Sequence, residues 1–192
     1  MKDRQSIATT KFSVRESGNQ KYIEGYFIIF NQYTKLWDGF YERISPDAVQ
    51  DMSNVSALYN HNHDLILGST KSKTLSLTKD EYGVKGTILI NEKDRDALNA
   101  YERIKRGDVK GCSFGFELIK ENVKHESDGS LRSTIEKLKL FEVSPCVFPA
   151  YSQTTINARK NDLKANARLA NPAVPKDRRT RQRMLIQKLK GM

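Results

Sequence analysis

The chain has 192 residues, 38% of them hydrophobic, with a formal charge of +10 and two cysteines. One sizeable core with tails fits that length better than two domains, and no apolar stretch approaches the roughly 20 residues of a membrane-spanning helix. No apolar signal core follows the start "MKDRQSIATTKFSV", so the expected address is cytoplasmic, and two thiols outside any CxxC spacing argue against a disulfide scaffold or zinc ribbon.

In chain order, the segments "KFSVRE", "QKYIEGYFIIFN" and "GFYERI" are rich in β-branched and aromatic residues and read as strands. "ISPDAVQDMS" reads as a short helix, with Ser45 as N-cap and Pro46 at the first helical position. Strands resume with "VSALYNH", "KTLSLTKD" and "YGVKGTILI". "NEKDRDALNAYERIKRG" predicts the stronger helix: Asn91 caps it, Ala97, Leu98, Tyr101 and Ile104 form an apolar stripe, and Gly107 ends it. "GCSFGFELIK" and "LRSTIEKLKLFEV" complete about eight strands, with Asp128 and Gly129 in the turn between them. The expected body is mainly β with accessory helices, a barrel or sandwich with helices packed outside.

Charge divides the chain. Residues 1–157 hold 22 Lys and Arg against 21 Asp and Glu, whereas residues 158–192 hold 11 against 2. The tail lacks aromatics and is broken by Pro172 and Pro175, which suits a flexible connection leading to a short helix around Arg179 to Lys190. The domain boundary is expected near Arg159, giving a body over 1–159 and a basic tail over 160–192. Such a tail allows weak nonspecific contact with nucleic acid.

In "GCSFGFEL", alternation puts Cys112, Phe114, Phe116 and Leu118 on one face and Ser113, Gly115 and Glu117 on the other. The first set reads as core. Ser113 is then presented away from it, with an unoccupied position at Gly115 where another backbone could approach the hydroxyl; a plain outward-facing strand reads the same way. A serine nucleophile needs a base. His125 lies in a polar hairpin, whereas His61 directly follows the strand run Val55 to Tyr59, and His63 stands closer to the loop. Alternation places Glu142 with Leu138 and Leu140, where a carboxylate needs a partner. That partner is either a histidine, as in a catalytic triad, or a Lys or Arg from elsewhere. Zinc ligation by His61, His63 and a cysteine lacks the clustered spacing of structural sites, and Cys112 reads as a packing residue.

Taken together, "GYFIIFN", "GFYERISPDAV", "ALYNHNHDLILGST", "KTLSLTKDEYGVKGTILI", "IKRGDVKGCSFGF" and "FEVSPCVFPAYSQTTINAR" resemble the prohead (capsid-maturation) proteases of tailed bacteriophages, serine peptidases related in fold to the herpesvirus assemblins. The resemblance covers about residues 10–159. It implies a herpesvirus-protease-like closed β-barrel, a base at His61 in "YNHN", a nucleophile at Ser113 in "CSFGF" and an acid at Glu142 in "FEVSP", with Asp80 as the competing acid and no cofactor. Ser69 stands where an arginine is common in the family. Oxyanion donors are expected from the amides of Ala150 and Tyr151, since proline cannot donate. The implied setting is the assembling procapsid in the host cytoplasm. The implied substrates are scaffold or the scaffolding region of the major capsid protein and the protease itself, with shell, portal and a second copy as further partners. The rival reading is a non-catalytic capsid-assembly or nucleic-acid-binding protein that uses the tail.

Overall fold

A computed structural model describes the backbone of residues 3–8 and all of residues 12–147. The expected boundary near Arg159, the tail with its helix around Arg179 to Lys190, and the Ala150 and Tyr151 amides lie outside the described residues.

Eleven strands and one α-helix are described: β1 Asp3–Ala8, β2 Ser13–Ser17, β3 Gln20–Ile29, β4 Thr34–Trp37, β5 Phe40–Ile44, β6 Ser56–Tyr59, β7 Asn62–Ser69, β8 Leu75–Lys79, β9 Gly83–Leu89, α1 Arg95–Arg106, β10 Gly111–His125 and β11 Leu131–Cys146. They form a seven-stranded sheet in the order β1-β10-β11-β5-β4, which β6 joins by pairing with β11 and with β7, and a four-stranded sheet in the order β2-β3-β9-β8. The protein is mainly β, as its composition predicts. Hydrogen-bonded closure into the expected barrel is not found among the described residues, whose sheets run to open ends at β1 and β4 and at β2 and β8.

Ile23, Phe27 and Ile28 of β3, Val84 and Ile88 of β9, Phe114 and Phe116 of β10, Leu140 and Val143 of β11, and Tyr101 of α1 share one continuous core. Phe27, Phe114, Phe116 and Tyr101 are at most 1% exposed, and truncating such an aromatic costs about 3 to 5 kcal/mol.

Both helix expectations change, the strong one at its start and the short one in its length. The strong helix begins at Arg95 with Asp94, not Asn91, as its cap: Asp94 Oδ1 accepts from the Asp96 and Ala97 amides at 2.9 and 3.2 Å. Asn91 instead accepts from the Lys93 amide at 3.1 Å, forming a turn ahead of the helix. Gly107 ends the helix as expected, at φ 88°. The Ser45–Pro46 start gives only a single 3-10 turn, Pro46–Ala48, in which Ser45 makes no side-chain cap bond.

Strand β11 organises the rest. Its residues Leu131–Ile135 run parallel to β5, its Glu142 and Val143 run parallel to Ser56 and Ala57 of β6, and its other edge pairs antiparallel with β10 along most of its length. Segments far apart in sequence therefore meet at its C-terminal end.

Candidate active site

Residues directly opposite one another in an antiparallel pair point to the same face. Ser113 lies opposite Ser144 and Gly115 opposite Glu142, whereas Phe114 faces Val143 and Phe116 faces Leu140. Between Gly115 and Phe116 the register slips by one residue, leaving Phe141 as an extra residue in β11. This β-bulge reverses the alternation. Uninterrupted alternation would place Glu142 with Leu138 and Leu140; the bulge turns it to the opposite face, beside Ser113 and Gly115. The expected site face on β10 is thus present, and Glu142 joins it through an irregularity that alternation does not reveal.

Ser113 points away from the core as expected but is not open to solvent, being 2% exposed. Its strand lies inside the sheet between β1, where Ile7 is opposite it, and β11. The vacancy at Gly115 is also filled. A Cβ built there would come within 2.5 Å of Glu142 Oε1 and 2.8 Å of its Cγ, so the glutamate occupies the space expected to admit another backbone.

The histidine reaches this face from a hairpin tip. Tyr59 pairs with Asn62, so Asn60 and His61 form a two-residue turn, both left-handed, at φ 53° and 60°. Two positive φ values make the type I′ geometry whose twist suits a hairpin. His61 is therefore in the turn and His63 is an exposed residue of β7, the reverse of the expected arrangement. His125, at the end of β10, is exposed as expected.

Three bonds tie the tip to the end of β11. The Asn60 amide donates to the Pro145 carbonyl at 3.0 Å, the His61 amide donates to Ser144 Oγ at 3.3 Å, and the Val147 amide donates to Asn60 Oδ1 at 3.0 Å. At Tyr59, just before the turn, the Arg103 guanidinium of α1 lies 5.8 Å from the ring centre.

Held this way, His61 Nδ1 stands 2.5 Å from Glu142 Oε1. The other carboxylate oxygen, Oε2, accepts from Ser144 Oγ at 2.7 Å. The Glu142 side chain is 5% exposed and that of His61 19%. A carboxylate so buried is tolerated because both oxygens have partners; the imidazole, rather than a Lys or Arg, is the basic one.

The competing acid is engaged elsewhere. Asp80 closes the β8–β9 turn, its Oδ1 accepting from the Tyr82 and Gly83 amides at 2.9 Å and its Oδ2 from the Tyr26 hydroxyl at 2.6 Å. The Tyr26 bond, followed by the Gly83 amide, holds its carboxyl below the usual range. Ser69 is turned into its own loop, 2.8 Å from Ser72 Oγ.

Neither thiol competes with Ser113. Cys112 is a buried core residue whose Sγ donates to the Tyr26 carbonyl at 3.1 Å. Cys146 donates to the Ser144 carbonyl at 3.3 Å, and its thiol is pushed up to about 12, chiefly by burial and then by the Glu142 charge. It is protonated at neutral pH.

Residues 9–168 match the family described as caudovirus prohead serine protease. The chain belongs to that family. It is thus a serine peptidase of bacteriophage capsid maturation, and no helix among its described residues is long and apolar enough to cross a membrane. Among curated proteins, the prohead protease of enterobacteria phage HK97 is 29% identical over 160 residues, covering 81% of this chain and 68% of its own length. No solved structure matches the chain.

Two contributors escape the sequence reading. Asn60 makes the left-handed turn and ties it to Val147, but it is flanked by none of the glycines that usually signal such a turn. Ser144 stands two residues after Glu142, and period-two alternation alone would have put it on the acid's face.

Proposed function

We propose that Ser113 is the nucleophile, His61 the general base and Glu142 the acid that orients and charge-balances His61, in a peptidase that processes capsid components. The observation that carries this reading is the 2.5 Å contact between His61 Nδ1 and Glu142 Oε1, on the sheet face that also bears Ser113.

With Nδ1 committed to the carboxylate, the imidazole uses Nε2 for proton transfer. His61 accepts the Ser113 proton as Oγ attacks the scissile carbonyl, then delivers it to the leaving amine. Glu142 fixes the tautomer and stabilises the imidazolium. Backbone donors on the developing oxyanion contribute about 3 kcal/mol each, and the Ala150 and Tyr151 amides are the ones to test. Water repeats the sequence on the acyl-enzyme and frees Ser113.

The substrates we assign are scaffold or the scaffolding region of the major capsid protein, and the protease itself, within the assembling procapsid. The basic segment over 160–192 serves as a tether outside the catalytic body of 1–159, drawn to acidic scaffold by its charge. The test is co-expression with the capsid protein. Ser113→Ala and His61→Ala each lower cleavage by about 10⁴-fold or more while the protein stays folded. Cleavage unchanged in either folded variant rejects the assignment. Salt-sensitive nucleic-acid binding with no cleavage by the unaltered chain would favour a non-catalytic assembly protein.

A further inference from the structure

We propose that Ser144 and Gly115 together form a socket that seats the Glu142 carboxylate against His61, making both of them positioning residues. The inference rests on the functional reading above and adds to it the parts that fix the acid in place.

Ser144 is fully buried, and its hydroxyl makes two contacts with different duties. It donates to Glu142 Oε2 at 2.7 Å and accepts from the His61 amide at 3.3 Å. One oxygen thus ties the acid to the backbone of the base. A hydroxyl has one proton to give and lone pairs to spare, so it can do both at once. An alanine would strand a buried carboxylate oxygen and remove the one bond that the His61 amide makes to β11, leaving the Asn60 bonds and the imidazole–carboxylate contact to hold the hairpin tip.

Gly115 acts by absence. It lies opposite Glu142, and a Cβ there would meet Oε1 at 2.5 Å, Cγ at 2.8 Å and Phe141 Cε2 at 2.8 Å. Phe141 is the bulge residue itself, so an added methyl would meet the acid and the bulge together. The Gly115 backbone does not adopt a left-handed conformation; the demand for glycine is one of space. The bulge aims the glutamate, the serine holds its far oxygen and the glycine leaves room for its near one.

The test compares the full-length unaltered protein with Ser144→Ala and Gly115→Ala. The first readout is the downfield proton resonance of His61 Nδ1–H, which reports the imidazole–carboxylate bond without any substrate. The second is the initial rate of capsid-protein cleavage in a double-mutant cycle with Glu142→Ala. Ser144→Ala is expected to shift or broaden that resonance and to slow cleavage about 10- to 100-fold, as loss of a bond to a charged group implies. In the Glu142→Ala background the same change should cost almost nothing further, because a residue that acts through another has no effect once the other is gone. Gly115→Ala should lose the resonance more completely.

An unmoved resonance in folded Ser144→Ala, or full additivity with Glu142→Ala, overturns the socket. Should Gly115→Ala fail to fold, Ser144→Ala still decides. A shifted resonance in a protein that cleaves nothing even when unaltered would uphold the socket while sinking the catalytic roles, so the two failures are distinguishable.

Discussion

Two hairpin turns in this molecule solve the same problem by different means. Between β10 and β11, Gly129 takes φ 80°, its amide donates to the Glu126 carbonyl at 3.0 Å, and Asp128 Oδ1 accepts from the Ser130 amide at 2.8 Å. That turn closes on itself with ordinary turn chemistry. Between β6 and β7, Asn60 and His61 are both left-handed with no glycine to ease them, and their bonds run to Ser144, Pro145 and Val147 at the C-terminal end of β11. A left-handed non-glycine residue costs about 1 to 2 kcal/mol. Such strain persists where surrounding structure overdetermines it, and it gathers at functional sites. Here it delivers the imidazole to Glu142.

Substitutions can break or sharpen that contrast. The largest effect is expected at the strained tip: His61→Ala should abolish cleavage, whereas Gly129→Ala should leave cleavage per folded molecule unchanged, measured on the same capsid protein. At the next position, Asn60→Ala removes the bond to Val147 and keeps the strain, and should destabilise the protein by about 1 to 2 kcal/mol in urea melts. Asn60→Gly relieves the strain and loses only the bond, costing about 1 kcal/mol or less. If the two variants prove equal, the left-handed backbone is not under strain. In the ordinary turn, Gly129→Ala forces a Cβ into φ 80° and should cost about 1 kcal/mol, with no change in the His61 resonance.

The smallest effect is one of pH. Hydrogen bonding from Ser130, whose amide donates to Asp128 Oδ1 at 2.8 Å, holds the Asp128 carboxyl below its usual value. Its stabilisation is therefore present above the unfolded-state value and lost as pH falls through the lower folded-state value. Asp128→Asn should lower stability slightly at neutral pH and flatten the acid side of the profile, the two proteins converging at low pH, as thermal melts at stepped pH would show.

The contrast also explains what could be read in advance. Strands β3, β9 and β10 and helix α1 announce themselves through local periodicity, and the Asp128–Gly129 turn through its residue types. Ser113 and Gly115 are legible because β10 alternates cleanly across them. Glu142 is visible as an out-of-place carboxylate, yet its true face is hidden, since a bulge at Phe141 depends on pairing with β10 and leaves no local signature. Strand β7 escapes notice for a related reason. The turn before it is held by tertiary bonds, and "NHDLILGS" reads as a loop following "YNH" until the β6 pairing is known. The bonds that matter most to the site cross 81 to 87 positions of sequence, beyond the reach of local pattern.

The most direct measurement is the intact mass of the full-length protein after treatment with a fluorophosphonate, with the modified residue located by peptide mapping. A single adduct on Ser113, formed by the unaltered chain and suppressed in folded His61→Ala, is the predicted result. No adduct at Ser113, or one that forms equally fast without the imidazole, would contradict the assignment of that hydroxyl and that ring to one catalytic unit.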